Sequence, residues 1–391
     1  MFFKISGAVF LALLFFCPPP VSAGTEKYPS PQNVFKWSRE ERLLGFKSME
    51  KLTPAHEVKA GGAVRPLPPA TSKKGLKMAA LLKKPTEDFM NTGDIVGVIV
   101  VRRGEILVEE YAHGFTERDR WTSFSVAKSF TSSLIGAALR DGSIESLDDQ
   151  ATRYVPELKG TAYDGVTIRH LLAMTSGVKW DENYSADNSD VVRLALGLGG
   201  DKNHDQLKEL AKLPRKAEPG KSFAYKTGET NLLGIILMRA TGKSLSDYLS
   251  EKIWKPCGME ESAWWALDRQ GRELAGCCLS LTLRDYARFG LFILEGGRAG
   301  GTQVLPDDWL REATRDQTKN KYGYQWRVLD KDIFAATGIF GQMIAIDRST
   351  NSLAVILSAW EGPVSQKGNQ ARFGYLFQIR DLALKNARGK R

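Results

Sequence analysis

Ser125 and Lys128 stand three residues apart in Phe124-Ser125-Val126-Ala127-Lys128, just before the apolar run Phe130 to Leu139. The spacing predicts the first turn of a helix, with hydroxyl and amine on one face. Serine is a weak nucleophile until a base takes its proton, and a desolvated lysine with a lowered pKa can be that base near neutral pH. A helix start also leaves backbone N–H groups free to hold developing negative charge. One short segment can therefore supply nucleophile, base and half of an oxyanion hole.

Ser-x-x-Lys is a cheap pattern and occurs three times in this chain. Ser48 with Lys51 lies in a polar N-terminal region, and Ser176 with Lys179 straddles Gly177, which disturbs a helical turn. Only Ser125 opens a long apolar helix, with Val126, Phe130 and Leu134 at four-residue spacing and a stop at Asp141-Gly142. The four histidines, His56, His113, His170 and His204, form no H-E-x-x-H spacing, and His170 reads as structural. No Gly-x-Ser-x-Gly elbow, Gly-x-Gly-x-x-Gly or P-loop occurs. A serine–lysine site without metal or cofactor is the chemistry that remains.

The elements that must position this pair are read from period and punctuation. Residues 1–23 have the pattern of a secretory signal: Lys4, an apolar run from Ile5 to Phe16, a triple-proline break and the small-residue site Val21-Ser22-Ala23. The run is too short to span a bilayer, and Cys17 is a poor lipoprotein site after Phe15 and Phe16. No other stretch is apolar and long enough to span, so the mature chain is expected to be exported, periplasmic or secreted, with no integral membrane segment. Residues 24–71, polar and proline-bearing with a helical patch near Ser38 to Leu44, read as an extended arm. Residues 72–391 read as the main domain. It starts with a helix over 72–91 through Leu76, Met78, Leu81 and Leu82, followed by a hairpin of Ile95–Val101 and Ile106–Ala112 around a glycine turn.

From about 143 to 220 the chain is helical and loop-rich, with two aromatics in the polar loop Trp180 to Asn188. A helix over 229–239 closes at Gly242, Ser244 with Asp247 caps another, and a further helix runs over 284–294. Strands return at 326–329, 342–347 and 353–358 before a last helix over 370–385. Strands at both ends with helices between imply an α+β sandwich: a mixed, mostly antiparallel sheet flanked by helices, with a helical subdomain inserted at about 143–220. Ser125 is expected to open onto a cleft between these parts.

Three cysteines follow residue 23, an odd number that makes a poor disulfide framework; Cys257, Cys277 and Cys278 read as structural. The formal net charge of +10, or +9 without the signal, is carried by scattered lysines and arginines. No basic helix face or aromatic-interleaved basic stripe suggests a nucleic-acid partner.

Several segments resemble one family in consistent order across about residues 90–385. These are Ser125-Val126-Ala127-Lys128 before its helix, Ile168-Arg169-His170-Leu171-Leu172 running to Thr175-Ser176-Gly177, Tyr225 ahead of Leu232-Leu233-Gly234, and Pro256-Cys257-Gly258-Met259. They are similar to the serine β-lactamase-related proteins, a group of class C β-lactamases, D-alanyl-D-alanine carboxypeptidases, esterases and 6-aminohexanoate-dimer hydrolases. The resemblance implies a β-lactamase/transpeptidase-like fold, with Ser125 the acylated nucleophile, Lys128 its activating amine and Tyr225 a proton-exchanging partner whose phenolate Lys128 would favour. Two motifs depart from the family pattern. Its Tyr-x-Asn is Tyr225-Lys226-Thr227 here, and its Lys-Thr-Gly or His-Thr-Gly is Ala336-Thr337-Gly338, without the cation that grips a β-lactam carboxylate. The following Ile339-Phe340-Gly341-Gln342 looks like the 6-aminohexanoate-dimer hydrolase branch.

By that likeness Gly338 allows close approach of the substrate backbone and the Ile339 N–H completes the oxyanion hole. Tyr184 resembles a tyrosine that closes over the substrate amide, and Trp326 resembles a pocket wall, with core packing as its other reading. The expectation is an exported serine hydrolase of small carboxylic esters or linear amides acting through an acyl-enzyme. A D-alanyl-D-alanine carboxypeptidase or β-lactamase, and a non-catalytic binding protein on the same fold, are the alternatives.

Overall fold

The computed structural model describes residues 28–196 and 205–388; the expected signal at 1–23 lies outside them, as does the 197–204 part of the expected helical subdomain. The strands, in chain order, are β1 (Ala55–Val58), β2 (Ile95–Arg102), β3 (Glu105–Tyr111), β4 (Arg120–Thr122), β5 (Ala263–Ala266) and β6 (Leu279–Thr282). There follow β7 (Arg298–Ala299), β8 (Thr302–Gln303), β9 (Arg327–Val328), β10 (Ile333–Thr337), β11 (Met343–Asp347) and β12 (Ser352–Ser358). Six of them form an antiparallel sheet in the order β3-β2-β12-β11-β10-β9, joining the two ends of the main domain as the hydrophobic pattern implied. The β2–β3 turn places Arg103 and Gly104 at φ +54° and +81°, the backbone twist that a two-residue hairpin needs.

All eight residues of β2 are buried, because helices cover both faces of the sheet. On one face the Lys73–Met90 and Gln366–Arg388 helices supply Met78, Leu82, Phe89, Leu376 and Ile379, and Phe89 stacks on Tyr375 at 4.5 Å. On the other lie the Ala127–Arg140 and Leu283–Leu294 helices, joined by the stacked rings of Phe130 and Phe289. Burying side chains of this size contributes about 2 kcal/mol each. In the Lys73–Met90 helix only Met78 and Leu82 of the expected apolar set face inward; Leu76 and Leu81 point to solvent.

A second antiparallel sheet, β1-β5-β6-β4, has strands of three or four residues, too short to show a period in the sequence. Its edge strand β1 overturns the expectation of an extended arm. The chain before residue 71 is folded: Ser38 and Glu41 make a reciprocal capping box that starts the Arg39–Lys47 helix, and β1 pairs with β5. Phe46 on that helix lies 4.8–5.6 Å from the rings of Phe124, Phe340 and Trp121. The glycines and prolines that suggested an arm belong to the stretch after β1, where Gly62 has φ +85°. Among the described residues no helix is long and apolar enough to cross a membrane.

Candidate active site

β4 delivers the chain to the site. Ser123 is clamped to the first residue of β6, its N–H donating to the Leu279 carbonyl (2.8 Å) and its Oγ accepting from the Leu279 N–H (3.1 Å). Phe124 then takes φ +43°, a strained conformation for a side chain of this size, held by its packing between Phe46 and Phe340. A 3₁₀ turn over Phe124–Val126 leads into the Ala127–Arg140 helix, so Ser125 and Lys128 occupy successive turns on one face.

Lys128 is fully buried, and its Nζ donates to Ser125 Oγ (3.0 Å), Thr227 Oγ1 (3.1 Å) and the Gly276 carbonyl (2.6 Å). All three acceptors are neutral. Burial pushes its ammonium down to about 8, with Glu182 opposing and Arg327 assisting. Tyr225 comes from the segment before the Thr227–Thr241 helix, with its ring face 5.2 Å from the Lys128 Nζ and a hydrogen bond to Ser125. Burial raises its pKa well above that of a free phenol, and Glu182 adds to the rise against Arg327 and Ser125. This corrects the expected phenolate: Tyr225 is a neutral phenol, a proton donor at rest.

Thr227 stands where the family pattern has asparagine. Its Oγ1 accepts from Lys128 and donates to Glu182 Oε1 (2.5 Å), while its N–H donates to Glu182 Oε2 (2.9 Å). The same carboxylate accepts from the Tyr184 hydroxyl (2.6 Å) and from Trp180 Nε1. Glu182 was missed in the sequence, where an acid between two aromatics reads as a polar loop. Tyr184 lines the cleft, its ring 5.4 Å from Phe35 and its hydroxyl committed to Glu182.

Across the cleft, β10 ends at Thr337 and the chain turns through Gly338 and Ile339, which line it opposite Ser125. A Cβ on Gly338 would meet the Ser123 carbonyl at 2.7 Å, so glycine is what lets these walls close. Gln342, fully buried, holds both: its Oε1 accepts from Trp121 Nε1 (3.1 Å), and its Nε2 donates to the Ile339 (3.2 Å) and Ser358 (2.8 Å) carbonyls. Trp326 is not part of the cleft. It is fully buried, edge-on to Phe334 at 5.3 Å, so its core reading holds; the neighbouring Arg327 faces the site instead.

Two lobes meet at Ser125. The open one, of about 580 Å³, is lined by Tyr225, Arg327, Arg372 and Lys321, among others. Arg327 lies 5.6 Å over the Tyr225 ring and donates to Thr337 Oγ1 (2.8 Å). Arg372 is buried against Trp360, with its Nε unpartnered, and burial together with Arg327 pushes its guanidinium down to about 9. Among the described residues neither arginine has a carboxylate partner. Position 336 carries no cation, and β9 and the C-terminal helix each bring an arginine to this lobe. The other lobe is narrow, about 50 Å³, and apolar, walled by Phe35, Met49, Phe124, Leu194 and a disulfide between Cys277 and Cys278. The odd count made a poor disulfide framework, yet adjacent residues pair with each other, and among the described residues Cys257 is left buried and free.

Comparison with known proteins agrees with this fold. The family model described as Beta-lactamase matches residues 83–376. The 6-aminohexanoate-dimer hydrolase of Paenarthrobacter ureafaciens is 30% identical over 303 residues, covering 72% of this chain and 76% of that protein. Esterase EstB of Burkholderia gladioli is 30% identical over 213 residues, 50% of this chain and 53% of the esterase. Among solved structures, a candidate 6-aminohexanoate-dimer hydrolase from Bacillus anthracis superposes with a TM-score of 0.79 at 26% identity, over 92% of this chain and 99% of that one. The chain thus belongs to the Beta-lactamase family, and its relatives there include a 6-aminohexanoate-dimer hydrolase and an esterase.

Proposed function

We propose that this protein is an exported hydrolase of small carboxylic esters or linear amides that works through an acyl-enzyme on Ser125. The observation that carries the reading is the 3.0 Å contact between Ser125 Oγ and a Lys128 amine that burial brings down to about 8. At pH 7 about a tenth of such an amine is neutral and able to act as base. It takes the Ser125 proton as Oγ attacks the substrate carbonyl carbon, and the oxyanion is held by the N–H groups of Ser125 and Ile339. Tyr225 gives its proton to the departing alkoxide or amine, and the Lys128 ammonium returns a proton to Tyr225. Water then adds to the acyl-enzyme under the same base, and the acid leaves.

The linings of the two lobes support an assignment of the two ends of the substrate. Tyr225 lines only the open lobe, so the leaving group it protonates lies there, beside Arg327 and Arg372; the acyl group enters the apolar lobe. A leaving group bearing a carboxylate suits unpaired guanidinium groups. The same feature favours a second reading, a D-alanyl-D-alanine carboxypeptidase, which release of D-alanine from an acyl-D-alanyl-D-alanine peptide distinguishes. Export rests on the signal pattern at 1–23 and is supported by the disulfide, which persists in oxidising compartments.

Intact-mass analysis after exposure to a fluorophosphonate, beside ester turnover and the Ser125→Ala variant, tests the mechanism. One adduct on Ser125 and turnover in the parent, with neither in the variant, is the expected result. A parent that is neither labelled nor active sinks the hydrolase reading.

A further inference from the structure

The segment Leu274-Ala275-Gly276-Cys277-Cys278-Leu279 touches the site at two points, one on each side of the disulfide. Before it, the Gly276 carbonyl accepts from Lys128 at 2.6 Å, the shortest of that amine's contacts, and the Ala275 carbonyl accepts from Thr131 Oγ1 (2.8 Å) on the same helix. After it, Leu279 exchanges two hydrogen bonds with Ser123, which fix the turn that carries Ser125. The ring formed by the bond between adjacent residues therefore lies between the acceptor that aims the base and the clamp that aims the nucleophile.

The surroundings leave this segment little freedom on one side. The Gly276 N–H donates to Asn231 Oδ1 (2.7 Å), and a Cβ at Gly276 would meet Asn231 Oδ1, Thr227 Cγ2 and the Thr227 carbonyl at 3.0 Å each. The Cys277 carbonyl accepts from Trp265 Nε1 (3.1 Å) and the Cys278 carbonyl from the Ala266 N–H (3.1 Å). Cys278 itself has φ +67°, a left-handed conformation that a residue with a side chain rarely adopts. A free thiol pair has no covalent reason to hold it. Both cysteines also line the apolar lobe beside Ser125, so the disulfide is a wall of the acyl subsite as well.

We propose that the Cys277–Cys278 disulfide is a positioning element of the catalytic site: it fixes the Gly276 carbonyl against Lys128 and shapes the acyl lobe, so that opening it disables acylation. The proposal rests on the hydrolase reading above. Opening takes two electrons and two protons from a dithiol, which closes to its own disulfide as two cysteine thiols form.

The test compares the folded full-length enzyme before and after dithiothreitol. Iodoacetamide and peptide mapping report the state of Cys277 and Cys278, near-ultraviolet circular dichroism reports folding, and kcat and kcat/KM for 4-nitrophenyl butyrate are followed from pH 6 to 9. The expected outcome is alkylation at both positions only after reduction, at least a ten-fold fall in kcat, a displaced acidic limb of the kcat/KM profile, and recovery on re-oxidation. Cys257→Ala should respond to dithiothreitol in the same way. The Cys277→Ala/Cys278→Ala variant should reproduce the reduced enzyme; if it does not fold, reduction of the folded parent carries the test. Equal kcat and an unmoved pH limb in the reduced enzyme overturn the proposal, as does alkylation of both thiols without reductant. Failure of the oxidised parent to take the fluorophosphonate or turn over ester sinks instead the hydrolase reading on which it rests.

Discussion

Two of the described lysines are almost completely out of water, and their partners differ in kind. Lys128 has only neutral acceptors within reach: the Ser125 and Thr227 hydroxyls and the Gly276 carbonyl. Lys226, one residue after Tyr225, has its Nζ 3.5 Å from the carboxylate of Glu229, also fully buried, which in turn accepts from Ser176 Oγ. Burial pushes the Glu229 carboxyl up to about 7, with Lys226 and Ser176 pulling against it. The first lysine is left short of a counter-charge and so gives up its proton easily; the second is paired with one and serves the fold. Burial alone therefore does not make a lysine a base. In the mechanism proposed above the base is the buried lysine whose partners are dipoles rather than an anion.

Substitution separates the two roles, beginning with the largest effect. Lys128→Met should lower kcat/KM for esters by about 10⁴-fold or more, because without the base both the serine and its proton relay fail. Its melting temperature should equal or exceed that of the parent. The sign follows from linkage: a lysine whose folded pKa lies near 8, below its unfolded 10.5, binds fewer protons folded than unfolded between those values, so stability rises with pH across that window and a charged Lys128 is a cost below it. Lys226→Met should do the reverse, losing about 3–5 kcal/mol in urea unfolding as Glu229 is left buried without its cation, and retaining acylation in the fraction that folds. Equal loss of stability in the two variants would end the distinction.

Smaller effects sharpen it. Activity should climb from pH 6 towards a plateau above about 8 as Lys128 becomes neutral, read as the acidic limb of kcat/KM against pH. Arg327→Gln should reduce the preference for 3-carboxy-4-nitrophenyl butyrate over 4-nitrophenyl butyrate by about ten-fold, mostly through KM, as expected for one lost charge-assisted contact. Glu182→Gln should move the acidic limb to lower pH, since Glu182 is the group that raises the Lys128 pKa. A limb that moves upward or stays put would show that the carboxylate acts only through Thr227.

The parts of the site that could be read from the sequence are those whose chemistry is local. Ser125 and Lys128 are three residues apart on one helix, and Tyr225 stands in a recognisable order with Leu232-Leu233-Gly234. Glu182, Gly276 and Gln342 could not be read in the same way, because each acts through contacts made only after folding: a loop carboxylate gathering four donors, a backbone carbonyl and a buried amide between walls. Trp326 shows the converse, since nothing in Tyr324-Gln325-Trp326-Arg327 says which of the last two faces the cleft. In the fold, β2 and β3 were legible from β-branched runs around a glycine turn, whereas β4, β5 and β6 are too short to carry a period. The N-terminal segment was misread because Gly61-Gly62 and Pro66-Leu67-Pro68-Pro69, which argue against a packed element, all follow β1 and say nothing of the helices and strand before them.

That segment has a consequence for when the enzyme becomes active. β1 ends at Val58 but hydrogen-bonds with Ala263–Ala266, and the helix before it props Phe124 at the nucleophile turn. These residues cannot settle until the chain has grown by about two hundred residues more, a non-local pairing of the kind that slows folding. The turn that carries Ser125 is thereby completed only once strands from the middle of the chain have arrived to hold the segment before it.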